Sequence, residues 1–79
     1  MSDVSRAIDE IRSLGIGGDA SDRLRAYARY LARDAHFEEG EEVQSIRALE
    51  TKAKDLGVSD DPEILDAIGA IDKIKQDGW

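Results

Sequence analysis

The chain has no cysteine, and only one proline, one histidine, one phenylalanine and one tryptophan among its 79 residues. Without cysteine there is neither a disulfide to staple a small fold nor a cysteine-rich metal cluster, so stability has to come from packing. Aromatic residues make up 5% of the chain, which leaves aliphatic side chains and alanine to build a core. No apolar run approaches the ~20 residues that a membrane helix needs. The opening Met1-Ser2-Asp3-Val4 shows neither the basic nor the apolar region of a signal peptide. These absences lead us to expect a cytoplasmic protein without a membrane partner. Two independent cores would each be too small to stand alone, so residues 1–79 are expected to form a single domain.

An excess of positive charge is missing too. The net charge is −7 and the isoelectric point near 4.5. Acidity is uneven: residues 1–18 carry −1, 19–36 carry +1, 37–56 carry −3 and 57–79 carry −4. Nucleic-acid binding draws on cations that displace counterions from phosphates, so the balance makes a nucleic-acid partner unfavourable unless one face is locally basic.

What is present is helical periodicity. Val4, Ala7, Ile8, Ile11 and Leu14 recur at the i, i+3, i+4 spacing and predict a helix over about 3–14, with Ser2 as its cap. Gly15 stands where a left-handed residue would end it, and Ile16 where an apolar side chain would fold back. Asp19 is expected to cap a second helix over about 20–36, whose core face is Leu24, Tyr27, Ala28, Leu31 and Ala35. Arg25, Arg29 and Arg33 line up nearly opposite that face, and Tyr30 lies off it. Gly40, Glu41 and Glu42 suit the start of a third helix over about 41–56, with Ile46, Leu49, Ala53 and Leu56 inward. Lys52 and Lys54 fall in its later turns, as its own dipole prefers.

Leu56-Gly57-Val58 repeats the stop of Leu14-Gly15-Ile16 in weaker form. Asp60, Asp61, Pro62 and Glu63 then open a fourth helix over about 61–76, by a capping box or by Asp61 alone. Ile64, Ala67, Ile68, Ile71 and Ile74 form its apolar face, and Leu65 points away. No stretch alternates with the period of a strand. The expected fold class is all-α: a compact four-helix domain built from two helical hairpins.

The run Gly15-Ile16-Gly17-Gly18-Asp19-Ala20-Ser21-Asp22-Arg23-Leu24 resembles the helix-hairpin-helix motif of DNA-repair and DNA-processing proteins at Gly15, Ile16, Gly17, Ser21 and Leu24. The resemblance covers ten to fifteen residues. It implies hairpin amides that bind a DNA phosphate, helped by a nearby arginine or lysine. Two residues depart from the pattern: Asp19 adds a negative charge, and the second copy has Ser59 where the second glycine would stand. The alternative is a helix reversal with no ligand.

No catalytic constellation emerges. His36 lies near Asp34, Glu38 and Glu39 in sequence, yet the set sits at a helix end and reads better as a histidine near the helix C-terminal dipole than as a metal site. Neither an enzyme nor a cofactor is expected. The residues left for function are the carboxylates Glu38, Glu39, Glu41, Glu42, Asp60, Asp61 and Glu63, with Asp66 nearby, together with Tyr30 and Leu65. They suggest a module that binds the basic surface of a larger protein or complex, as an inhibitor or regulator. Small acidic helical proteins of phage origin that inhibit host enzymes, some by imitating nucleic acid, are similar in size and charge. The alternatives are nucleic-acid contact through Arg25, Arg29 and Arg33, and a homo-oligomer that covers Leu65.

Overall fold

The computed structural model describes residues 3–77 and contains four α-helices: α1 Asp3–Ser13, α2 Ala20–Arg33, α3 Glu41–Leu56 and α4 Pro62–Asp77. The expected Ser2 cap and the position of Trp79 lie outside the described residues. The four helices share one core. That core is aliphatic: Val4, Ile8, Ile11, Leu24, Leu31, Leu49, Ile64 and Ile71 are fully buried. Ala7, Ala28, Ala48, Ala53 and Ala67 fill the spaces between them, where larger side chains would hold the helices apart.

The two hairpins differ. α3 and α4 make extensive contact, whereas α1 and α2 touch each other least of all the contacting pairs. α1 lies mainly on α3, and α2 mainly on α4. The first hairpin is thus splayed and closed by the second.

The two turns reverse their expected ranks. Gly57 adopts the left-handed conformation at φ +73°. Its N–H donates to the Lys54 carbonyl at 3.2 Å, and the Val58 N–H to the Ala53 carbonyl at 2.8 Å. These are the two bonds of a Schellman stop, and Val58 packs back onto the core. At the stronger-looking copy Gly15 is not left-handed, since only Gly40 and Gly57 have positive φ among the described glycines. Ile16 does not fold back either; it is 80% exposed.

The α1 terminus is closed from elsewhere. Lys52, buried on α3, extends its Nζ to the Leu14 carbonyl at 2.7 Å and towards the Arg12 carbonyl at 3.4 Å. The ammonium satisfies carbonyls left over at the helix end and sits at the negative pole of the α1 dipole. Lys52 therefore serves the dipole of α1 and not that of its own helix.

The other ends follow similar local logic. α2 stops at Arg33, short of the expected 36, because the Asp34 and Ala35 N–H groups both turn to the Tyr30 carbonyl. Phe37 then leaves the helix line to pack on the core. Asp19 precedes α2 without a side-chain cap bond, contrary to expectation. Asp61 does cap α4, accepting from the Glu63 N–H at 2.9 Å and the Ile64 N–H at 3.4 Å.

Two outcomes test this account. Gly57→Ala forces a side chain into the left-handed region and should destabilise by about 1 kcal/mol or more, whereas Gly15→Ala should be neutral or stabilise by roughly 0.5 kcal/mol. Equal losses in chemical denaturation would reinstate Gly15 as the stop. Lys52→Met keeps the apolar stem and strands the α1 carbonyls, so we expect a loss of about 2 kcal/mol. For a domain of this size that lowers the melting temperature by roughly 10 °C. An unchanged melting temperature would mean that the ammonium contributes nothing.

Candidate functional site

The charged residues singled out in the sequence divide into those the fold consumes and those it leaves outside. Arg25 is consumed. Its Nε donates to Asp61 Oδ2 at 2.8 Å and its Nη1 to Asp22 Oδ1 at 2.8 Å. The Arg25 and Asp61 side chains are only 28% and 13% exposed, while Asp22 is 80% exposed, so the first contact is the sheltered one. The hydrogen bond from Arg25 is the main reason that the Asp61 carboxyl lies below the usual carboxylate range, helped by the Ile64 and Glu63 amides against some desolvation. The same bond raises the Arg25 guanidinium above its ordinary value. Asp61 thus caps α4 and anchors α2 at once.

One turn along, Arg29 Nη1 meets Glu63 Oε1 at 3.5 Å with both side chains about half exposed. Such a pair adds little stability, yet it offsets the charge of each partner. Arg33 is exposed and lines a shallow groove with Arg29, Glu63 and Asp66. The arginine stripe therefore faces the first turns of α4 and is matched there by carboxylates.

The acidic set is not one patch. Glu38 and Glu39 precede α3, and Asp60 and Asp61 follow it. Sixteen helical residues at 1.5 Å each put about 24 Å between the two groups. Glu41 and Glu42 leave the exposed set, being only 8% and 5% exposed. Glu41 turns back to accept the Glu38 N–H at 2.8 Å, which helps close the start of α3. Glu38, Glu39 and Asp60 are exposed, and none belongs to an ion pair among the described residues.

Tyr30 is half-buried and rests on the rim of the core. With Tyr27 it lines an open groove of about 430 Å³ where α1 and α2 splay apart. A hydrogen bond to the Glu10 carboxylate, with burial and the same negative charge, raises the Tyr27 hydroxyl above its ordinary value. Leu65 projects from α4 and is 50% exposed. His36 lies beyond the end of α2, exposed, and among the described residues no three histidine or carboxylate side chains converge as metal ligands. At the Gly15–Asp19 hairpin, Arg23 and Asp19 line one open hollow beside the glycines, so a cation and an anion face those amides together.

Sequence spacing alone did not reveal Lys52 as a positioning residue or Asp61 as a double partner. The signal for Asp61 was its place before Pro62; for Lys52 the only hint was a cation on the inward face of α3.

Asp61→Asn keeps a good helix cap and removes the ionic contact to Arg25, while Asp61→Ala removes both. At pH 7 the melting temperature should fall in the order wild type, Asp61→Asn, Asp61→Ala. The folded-state pKa of Asp61 lies below its ordinary 3.8, so its ionic stabilisation is present above that value and is lost as the pH falls through the folded one. The pH–stability curves of wild type and Asp61→Asn should accordingly converge in acid, and parallel curves would exclude Asp61 from the acid response.

No helix among the described residues is long and apolar enough to cross a membrane. Compared with models of known families, with curated proteins and with solved structures, the chain matches none.

Proposed function

We propose that the chain is a protein-binding module that inhibits or regulates a larger protein or complex by presenting carboxylates to a basic surface. One observation carries the reading. Arg25 and Arg29 are spent on carboxylates of α2 and α4, while Glu38, Glu39 and Asp60 stand exposed outside every ion pair among the described residues. What a partner meets beyond the two ends of α3 thus includes carboxylates outside every ion pair among the described residues. Complementary charge of this kind speeds encounter and selects the partner more than it adds raw affinity.

The two acidic ends suit a basic groove that spans both, as a nucleic-acid channel does. In its finer form the proposal is thus an inhibitor of the phage type, with carboxylates where a nucleic acid offers phosphates. It works by binding in the cytoplasm, without catalysis or cofactor. The alternative, nucleic-acid contact through Arg25, Arg29 and Arg33, is disfavoured because the first two of these are already paired within the chain.

The immobilised chain should retain a specific large partner from a lysate of its source organism, identified by mass spectrometry and released as salt rises. The triple variant Glu38→Lys, Glu39→Lys, Asp60→Lys should lose it while keeping the wild-type melting temperature. A partner held equally by both proteins would sink the acidic reading. A DNA complex that survives ~50 mM salt and disappears with Arg29→Ala and Arg33→Ala would establish the alternative instead.

A further inference from the structure

The outer face of α3 and α4 is not used by the acidic reading, and three of its features are unexplained within one copy of the chain. Leu65 is half exposed and borders a hollow of about 250 Å³ that it lines with Ala53, Ile64 and Ile68. Gly69 lies one turn beyond Leu65 on the same side of α4, in mid-helix. Glycine is the poorest helix former after proline, and a close approach is what normally compensates for it. Here nothing lies within 4 Å of where a Cβ would stand. The third feature is charge. Glu50 and Lys54 flank the hollow, and Asp72 and Lys73 follow along α4, so these four cancel in a chain of net charge −7.

We infer that this face is where two copies of the chain associate. A basic partner finds no excess of carboxylate here, whereas two acidic copies repel each other least where the meeting surface is locally neutral. Two-fold symmetry makes each contact reciprocal. Antiparallel α4 helices then set Leu65 of each copy over the open backbone at Gly69 of the other, and the missing side chain becomes the space that leucine fills. Helices ~24 Å long and 8–10 Å apart offer roughly 500 Å² per copy, below the ~800 Å² of a standard stable interface. The association is accordingly weak and reversible, in the micromolar range.

Sedimentation equilibrium of the full chain from roughly 5 to 500 μM tests this directly. A monomer–dimer equilibrium is expected that does not weaken between about 50 and 500 mM salt and strengthens as salt screens the repulsion between two chains of net charge −7. Leu65→Glu should be monomeric throughout. Gly69→Ala should act in opposite directions, raising the melting temperature of the monomer while weakening association roughly tenfold. A strict monomer at the highest concentration overturns the proposal, as does association that ignores Leu65→Glu or is strengthened by Gly69→Ala. A wild-type chain that is itself monomeric and whose partner capture is lost in Leu65→Glu also overturns it, assigning the face to that partner. The Glu38, Glu39 and Asp60 variants should leave the dimer intact, so this inference and the acidic-surface proposal fail separately.

Discussion

The contact on which the arrangement depends is the Lys52 ammonium at the carbonyl end of α1. α1 is eleven residues long, too short to be a stable helix alone in water, and it touches its chain neighbour α2 only slightly. Its place is set by α3. Val4, Ile8 and Ile11 supply the burial energy, on the order of 2 kcal/mol each, but burial is non-directional and would tolerate a shift by a turn. A charge that must reach the Leu14 carbonyl from a fixed position on α3 tolerates none. Apolar packing holds α1 against the bundle, and Lys52 specifies how far along.

α2 is fixed to α4 in an analogous way. Arg25 reaches an Asp61 whose other oxygen is already committed to the first amides of α4, so the pair registers α2 against a helix end and not merely a helix side. In a chain without disulfides these two cation contacts join the splayed first hairpin to the second. They also have an electrostatic consequence. Cations drawn inward to hold the fold are cations missing from the surface, but Asp61, Glu41 and Glu42 are withdrawn as well, so the fold redistributes the acidity and does not enlarge it.

The helices were legible because their evidence is local: Val4, Ala7, Ile8 and Ile11 declare a buried stripe whatever they pack against. Asp61-Pro62 and Gly57-Val58 were legible for the same reason, since capping and Schellman bonds close within six residues. What sequence could not convey was any effect decided at long range. Gly15 and Gly57 look alike in sequence, but only the second needs its left-handed conformation, because the end of α1 is served by a lysine thirty-eight residues away. Glu41 and Glu42 read as solvated acid, as dipole arguments suggest, and are buried by their neighbours. The arginines read as a free stripe because helical periodicity shows that a face points away from its own apolar side, not what stands opposite.

This division separates the surfaces by physics as well as by place. The ends of the bundle carry unpaired carboxylates, and whatever they hold is held by a force that salt screens within about 8 Å under physiological conditions. The outer side of α3 and α4 carries balanced charge around Leu65 and Gly69, and contact there rests on apolar burial that moderate salt leaves intact. Net charge of −7 on so small a body opposes self-association, and least where the local sum vanishes. The balanced flank of α3 and α4 is therefore a more tolerable place for a second copy than the acidic ends. A chain arranged in this way can bind at its ends while paired along its side, and two linked copies would hold an extended basic surface more tightly than one.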